Sequence, residues 1–177
     1  EREPAAGEPA SSSSDEKRAP VRQMQLAFDD GSGMVSATIS VQPAPELPNR
    51  PSETSGVFVR MEDNSVFVGT GSIELEVNVE VTSAGERQPS MNLSHNGPVV
   101  EVVVTHETTI FREKTEMPSP RSGMKGGEHT IQQIIEPVDS IDELTKNFEL
   151  QVWGRKTGDR VVAEVLVFRD VSADLSF

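Results

Sequence analysis

The sequence contains no cysteine among its 177 residues. Without thiols the chain can form no disulfide, thiolate nucleophile, iron–sulfur cluster, blue-copper centre or structural zinc site of the cysteine types. Its fold must therefore be stabilised by a hydrophobic core, and the chain is long enough to bury one. The absence of cysteine fits either side of a membrane, so it does not decide the compartment.

Basic and aromatic residues are also scarce. The 16 Lys and Arg residues face 29 Asp and Glu residues, which gives a net charge of −13. Such a charge repels phosphate backbones and anionic lipid, which argues against a nucleic-acid or membrane-surface binder. No apolar run is long enough to span a bilayer. Only 34% of the residues are apolar, so part of the chain is expected to lie outside any core.

Residues 1–20 contain no large apolar side chain and consist mainly of Pro, Ser, Ala and charged residues. Such a segment gains too little from burial to offset its ordering entropy. We interpret it as a disordered tether of the kind that follows an export signal or lipid anchor, and an ordinary disordered terminus fits equally well. We therefore expect an extracytoplasmic protein, periplasmic or at the cell surface, with membrane contact only through such an anchor.

From residue 21 onward, short segments alternate apolar and polar residues between turn signals. Residues 22–42 predict a hairpin, and residues 43–55 predict an extended, proline-rich connector. Apolar and polar residues alternate without interruption over residues 73–81, which predicts a half-buried antiparallel strand. Residues 83–98 are polar and turn-rich and predict a loop.

The second half of the chain continues this pattern. Residues 99–111 predict a central strand, residues 112–130 a long loop, and residues 147–170 a closing hairpin. The capping box of Ser140 and Glu143 predicts one short helix. The pattern as a whole predicts a single all-β domain over residues 21–177, an antiparallel barrel or sandwich with an added N-terminal hairpin and one short helix.

The closing hairpin carries two finer predictions. Trp153 lies on a strand of which only one face can be fully wet, so we expect it to be at least half buried. The inward face should combine residues of both strands: Leu150, Val152, Val161, Ala163, Val165 and Val167.

Catalytic motifs are not visible in the sequence. His95, His106 and His129 do not pair at the spacing of metal ligands, and no nucleophile stands beside a base. The sequence therefore predicts no metal, no cofactor and no catalytic residue, although a hydrolase whose carboxylate pair is assembled only by the fold stays a third alternative. The acidic turns at 29–33 and 62–64 lack the ligand spacing of a calcium loop, which favours side-chain-capped turns.

The long loop is the most informative polar feature. Arg121 and Lys125 are the only charges in residues 117–127, on a strongly acidic protein. Met117 and Met124 would add adaptable apolar contact. These four residues are the predicted partner-binding site.

Several turn and strand signatures resemble a known family. Gly56 precedes a strand, and Asp63-Asn64-Ser65 forms the turn that follows. The other matching positions are Val102, Val104, Thr105, Thr109 and Ile110, then Val152, Gly154, Gly158, Asp159 and Ala163. With these, residues 56–168 resemble the small secreted OB-like β-barrel domains of bacteria, often carried on lipoproteins and functionally uncharacterised. The resemblance implies an OB-like barrel and an extracytoplasmic, non-enzymatic role, and it supplies no catalytic residue.

These observations favour a non-enzymatic binding or assembly module. Loops 83–98 and 112–130 would be presented to a protein or carbohydrate partner. The alternative is a structural subunit of a cell-surface or envelope complex, whose hairpin at 22–42 pairs with a neighbour's sheet edge. Either role is compatible with a homo-oligomer, and neither involves nucleic acid.

Overall fold

The computed structural model describes residues 18–172, apart from the side chain of Arg121. Within these residues the chain forms twelve strands and one 3₁₀ turn, at Pro120–Ser122, so the all-β prediction is confirmed. The strands are β1 Arg22–Asp29, β2 Met34–Gln42, β3 Thr54–Glu62, β4 Ser65–Gly69, β5 Ile73–Val81, β6 Arg87–His95, β7 Val99–Val103, β8 Thr109–Glu113, β9 Gly127–Gln132, β10 Ile135–Val138, β11 Phe148–Thr157 and β12 Arg160–Asp170.

Five of these strands close into a barrel. Strand β3 pairs with β4, β4 with β7, β7 with β12, β12 with β11, and β11 with β3 again. The β7–β12 pair is parallel and the other four are antiparallel. Numbered along the chain, the order is 1-2-3-5-4-1, which is that of an OB-like barrel. Closure leaves none of the five strands as a fully open edge.

The apolar stretch at 99–111 is two strands and not one, so that prediction is wrong. Strand β7 pairs with the first part of β12 and β8 with the later part. Between them the chain turns, and the Thr108 hydroxyl donates to the carbonyl oxygen of Ala163 at 2.8 Å. Strand β8 also pairs with β10, which extends the sheet beyond the barrel.

The barrel interior explains the alternation of the closing hairpin and its one irregularity. Trp153 pairs with Val165, but Gly154 pairs with Ala163, so Glu164 is bulged out of the ladder. A bulge reverses the side-chain parity of the strand beyond it. Val161 and Ala163 before the bulge and Leu166 and Phe168 after it therefore all point into the barrel. The buried residues of the interior are Val66, Val68, Val102, Ile110, Ile141, Leu144, Phe148, Leu150, Val152, Val161, Ala163, Leu166 and Phe168.

The same bulge places Val165 and Val167 outside the barrel, so their predicted inward position is wrong. They pack with Trp153, Ala44 and Leu47 in a cluster on the outer wall. The buried position of Trp153 is confirmed, with 3% of its surface exposed. Its indole N–H donates to the carbonyl oxygen of Arg50 at 2.8 Å.

The short helix predicted to begin at the capping box of Ser140 and Glu143 is absent, and the chain makes two tight turns instead. Leu144 N donates to the carbonyl oxygen of Ile141 at 3.1 Å, and Phe148 N to that of Thr145 at 3.0 Å. Glu143 does not complete a capping box, because its carboxylate binds the guanidinium of Arg112. Ile141 and Leu144 enter the barrel core from these turns, so their burial requires no helix.

The N-terminal hairpin is confirmed as β1 and β2, and β9 adds to β2 in parallel to make a three-stranded sheet. Phe28, Ala37 and Ile39 supply the buried face of this sheet. A bidentate ion pair between Arg22 of β1 and Glu113 of β8 joins the sheet to the barrel, at 2.5 and 3.0 Å.

The expected tether lies mostly outside the described residues, since the structure describes the chain only from residue 18. Arg18 belongs to the segment and is bound to the connector. Its guanidinium donates to the carbonyl oxygens of Ala44, Leu47 and Pro48, at 3.3, 3.2 and 2.6 Å. These bonds indicate that Arg18 is attached to the fold, whereas the tether prediction for residues 1–17 lies outside the described residues.

Candidate interaction surface

Strands β5 and β6 form a separate two-stranded ribbon, inserted between β4 and β7 of the barrel. Within residues 18–172 each of the two pairs only with the other. Residues 83–98 are therefore mostly strand, and the loop prediction for them is wrong. The predicted strand at 73–81 is confirmed, but its half-buried character is not.

Both ends of the ribbon are built by local sequence. At the tip, Thr82 N donates to the carbonyl oxygen of Glu86 at 2.9 Å, and Gly85 takes the positive φ of +81° that the turn requires. At the base, Asn96 Oδ1 accepts a bond from Ser72 N at 2.8 Å. A Cβ on Gly97 would lie 2.6 Å from the carbonyl oxygen of Thr70, so only glycine permits this close approach of the two strands.

One face of the ribbon is apolar between its two ends, where His95 lies opposite Ile73 and Arg87 opposite Val81. Opposite residues of an antiparallel pair share a face, and the register pairs Leu75 with Leu93, Val77 with Met91 and Val79 with Pro89. Only the base of this face is covered, where Leu93 packs with Val57 and Val171. Toward the tip the exposed fractions rise: Leu75 42%, Val77 51%, Val79 60% and Val81 66%.

The opposite face of the ribbon is acidic. Glu74, Glu76 and Glu80 alternate with the apolar residues of β5, and all three are exposed. Residues 73–95 carry four glutamates and one arginine, a net charge of −3. The ribbon is thus amphipathic, with one apolar and one anionic face, on a protein that is acidic as a whole.

The face that ligands use in OB-fold barrels is formed here by β4 and β7. Its outward groups already bind one another. The guanidinium of Arg60 lies 3.7 Å above the ring centre of Phe67. Glu101 accepts bonds from Ser65 at 2.7 Å and Arg160 at 2.9 Å, and the Ser65 bond contributes most to lowering the pKa of Glu101. This face offers a ligand few free polar groups.

A cavity of about 250 Å³ has two carboxylates among its lining residues, Glu113 and Glu149, and these are the candidates for the hydrolase alternative. Each of them binds an arginine, Arg22 and Arg169 respectively. Burial alone would raise the pKa of Glu113, but the hydrogen bonds and charge of Arg22 outweigh it, so the pKa is lowered. A general acid requires a raised pKa. Glu113 is therefore suited to an ion pair and not to proton donation.

A second, more open cavity of about 390 Å³ lies at one end of the barrel. Asp63, His106, Asp139 and Asp142 are among its lining residues. No three histidine or acidic side chains of residues 18–172 are close enough together to hold a metal ion. In the acidic turn of the N-terminal hairpin, Asp29 Oδ1 accepts Gly31 N at 2.8 Å and Asp30 Oδ1 accepts Ser32 N at 2.9 Å, which confirms side-chain-capped turns there.

The predicted partner-binding residues are only partly on the surface. Met124 is buried against the N-terminal sheet, with 8% exposed, and Met117 packs beside it. Both methionines thus contribute to the molecule's own packing, and a partner could reach Met124 only if this segment moved. Lys125 is exposed, and the side chain of Arg121 lies outside the described part. A role for Arg121 and Lys125 stays a prediction.

The ribbon could have been found from the sequence by comparing the two sides of Gly85. Leu75 and Val77 before the turn mirror Leu93 and Met91 after it, at the offsets of one antiparallel register. The signal in β6 is weak because Pro89 and three small polar residues dilute it. Proline within a strand pattern argues against a central strand, but it is compatible with an edge.

Fold and site together define an OB-like barrel that carries an amphipathic β-ribbon. Searches among protein-family models, curated proteins and solved structures match nothing to this chain. The resemblance to secreted OB-like domains therefore stays a prediction. Among residues 18–172, no helix has the length and apolar character needed to cross a membrane.

Proposed function

We propose that this protein is a non-enzymatic binding or assembly module that docks onto a protein partner through its β5–β6 ribbon. One observation carries the proposal: four consecutive apolar side chains of β5 are 42–66% exposed on a ribbon that stands apart from the barrel sheet. Contiguous exposed apolar surface of this kind marks interaction sites in soluble proteins. Of the two kinds of partner expected from the sequence, protein is favoured over carbohydrate, because sugar recognition requires convergent polar groups that this face lacks.

The proposed place of action is outside the cytoplasm. Support comes from the composition of residues 1–20 and from the resemblance to secreted OB-like domains. Fractionation of cells that make the full gene product tests this. Recovery with the cytoplasmic proteins would contradict the proposed location while leaving the docking role open.

A photo-reactive residue at position 79 tests the docking role in the cells that make the protein. Val79 is on the exposed part of the apolar face, and Met34, in the N-terminal hairpin, is a matched exposed position with 73% of its surface accessible. We expect specific adducts from position 79 and none from position 34. Equal adducts from both positions, or none from position 79, would contradict the proposal.

A shortened ribbon provides the control for folding. Replacing residues 77–91 with Asn-Gly makes this dipeptide the turn between Glu76 and Asn92. These two residues lie directly opposite each other in the ribbon, which suits a two-residue hairpin turn. The base of the ribbon, with Leu75 and Leu93, is retained. The variant should keep the melting temperature of the barrel and lose the adducts formed at other ribbon positions, such as position 75.

The alternative of a structural subunit has one observation in its favour. Strand β2 is paired on both sides, by β1 and β9, so the hairpin has already formed an intramolecular sheet. Of the two hairpin strands, β1 alone keeps an unpaired outer edge within the described residues. A neighbour could add there, and a Gln25→Pro substitution in β1 would then prevent the assembly without affecting adducts at position 79.

A further inference from the structure

The two edges of the ribbon differ in their capacity to accept another strand. In an antiparallel pair, residues alternate between those that bond to the partner strand and those whose N–H and C=O point outward. The bond from Thr82 N to the carbonyl oxygen of Glu86 fixes this alternation, because these two residues continue the register of the ribbon. Even-numbered residues of β5 therefore face β6, and odd-numbered residues face outward.

The outward groups of β6 are interrupted. Pro89 occupies one of its outward positions and has no N–H to donate. A proline of this kind blocks strand addition along an edge. Strand β5 has no such interruption: Ile73, Leu75, Val77, Val79 and Val81 all offer both a donor and an acceptor. Among residues 18–172 no backbone group pairs with this edge.

The side chains of β5 specify the chemistry of an added strand. Residues directly opposite one another share a face, so a new strand must place apolar residues beside Leu75, Val77 and Val79. The other residues of the added strand would lie beside Glu74, Glu76 and Glu80. Basic side chains there would form cross-strand ion pairs, and acidic side chains would be repelled. The complementary strand therefore alternates apolar and basic residues.

A second copy of this chain fits the surface less well. The ribbon face is about 30 Å long and about 10 Å wide, so two copies packed face to face would bury about 600 Å² in total. A stable interface usually buries at least about 1,200 Å². Each copy also carries a net charge of −13, which opposes self-association.

We infer that the free edge of β5 binds an extended segment of a partner protein in which apolar and basic residues alternate, by strand addition. Main-chain bonds to the odd-numbered residues supply affinity, and the two faces of the ribbon supply specificity. This inference rests on the proposed docking role of the ribbon and adds the edge, the conformation and the charge of the partner.

The test is binding of labelled synthetic peptides to the intact chain, measured by fluorescence anisotropy. The probe alternates lysine and valine over 9 residues, the length of β5. One control has glutamate in place of every lysine, and a second carries N-methyl groups on every residue, which remove the main-chain donors whichever way the peptide runs along β5. We expect the lysine peptide to bind about tenfold more tightly than the glutamate peptide, the ratio that two or three exposed ion pairs provide. Binding should weaken as salt is added, and the N-methylated peptide should not bind.

Variants of the chain locate the site. Val77→Pro removes one outward N–H of β5 and leaves the bonds between β5 and β6 in place, so it should fold and bind the lysine peptide at least about tenfold more weakly. The double substitution Glu76→Lys and Glu80→Lys should reverse the preference toward the glutamate peptide. Its control, Glu46→Lys with Glu107→Lys, makes the same change of net charge at exposed positions outside the ribbon and should leave the preference unchanged.

Amide hydrogen exchange gives a readout that does not depend on affinity. The even-numbered amides of β5 are already bonded to β6, so peptide binding should slow chiefly the odd-numbered amides, such as those of Leu75, Val77 and Val79. Slowing of β6 amides instead, or of none in the ribbon, would overturn the assignment of the edge.

Other outcomes identify other occupants. Concentration-dependent dimerisation that Val77→Pro abolishes would show that the edge binds a second copy. Peptide binding that appears only after removal of residues 173–177 would assign the edge to the chain's own segment. Either result, or no binding of the lysine peptide, overturns this inference. The proposed function fails separately, if position 79 forms no adducts in cells.

Discussion

Strands β5 and β11 have similar length and a similar alternation of apolar and polar residues, but they have different surroundings. Phe148, Leu150 and Val152 of β11 are enclosed by the barrel, whereas the apolar residues of β5 face solvent beyond the base of the ribbon. Period-2 alternation therefore predicts that a strand has an apolar face, but not what covers that face. In β11 the cover is the rest of the barrel, and for β5 we propose that it is a partner.

The barrel and the ribbon should differ most in how much a leucine-to-alanine substitution lowers the free energy of unfolding. Leu150 is 1% exposed and Leu75 is 42% exposed. Leu150→Ala should lower the free energy of unfolding by about 2–5 kcal/mol, because it leaves a cavity in the barrel core. Leu75→Ala should lower it by about 1 kcal/mol, since 42% of this side chain is already hydrated and no closed cavity is left. Urea unfolding measures both, and equal losses would show that the ribbon is as closely packed as the barrel.

The sequence predicted the strands of the barrel better than it predicted their surroundings. The hairpins at 22–42 and 147–170 follow from alternation and from turn residues such as Gly158, which are local signals. The bulge at Glu164 depends on how β12 divides its pairing between β7 and β8, and this is a property of the closed sheet. The capping box at 140–143 failed for a similar reason, because Glu143 binds the distant residue Arg112.

The candidate site could be predicted only in part. The apolar face of β5 was visible in the alternation of residues 73–81, but its exposure depends on the position of the ribbon outside the barrel. Met124 was expected at a surface and is buried, because the segment after β8 folds back on the N-terminal sheet. No local pattern distinguishes a methionine that covers its own sheet from one that awaits a partner.

The ion pair of Arg22 and Glu113 is largely buried, unlike any polar contact of the ribbon. Glu113 is 5% exposed and Arg22 is 20% exposed, and Gln133 donates a further bond to Glu113 at 2.9 Å. Glu113→Gln should lower the free energy of unfolding at pH 7 by about 3 kcal/mol, because it leaves Arg22 without its counter-charge. The exposed pair of Arg60 and Glu62 is the control, and Glu62→Gln should cost less than about 1 kcal/mol.

The pH dependence of the same pair gives a separate test. The pKa of Glu113 is lowered in the folded protein. Its stabilisation is therefore fully present above the pKa of an unfolded glutamate, about 4.3, and is lost as the pH falls through the lower folded pKa. Thermal unfolding of the wild type should show this loss below about pH 5. Glu113→Gln should reduce the slope in that range, and an unchanged slope would assign the acid sensitivity to other carboxylates.

Gly154 in the barrel and Gly85 at the ribbon tip differ in the space that their neighbours leave for a side chain. A Cβ on Gly154 would lie 2.0 Å from the carbonyl oxygen of Val162 in the neighbouring strand, whereas a Cβ on Gly85 at the ribbon tip would meet nothing within 4 Å. Gly154→Ala should lower the free energy of unfolding by about 2–3 kcal/mol, because the two strands must move apart. Gly85→Ala should lower it by about 1 kcal/mol, since only its positive φ is unfavourable for alanine. Chemical denaturation compares the two, and a larger loss for Gly85 would mean that the ribbon turn supports the barrel.

The smallest effect on stability is expected in the loop between β8 and β9. Lys125 is exposed, and its charge is one of the weaker influences that lower the pKa of Asp30. Replacing Arg121 and Lys125 together with Glu should change the free energy of unfolding by less than about 0.5 kcal/mol.

The value of this substitution lies in separating two candidate surfaces for a partner. If the loop steers an acidic partner, the substitution should slow association and reduce its salt dependence. If the ribbon binds a basic strand, as we infer, the same substitution adds negative charge outside the ribbon and should leave binding of the lysine peptide within about twofold. Stopped-flow binding at two salt concentrations distinguishes the two surfaces. A marked loss of peptide binding in this variant would instead indicate that the loop is the partner-binding site.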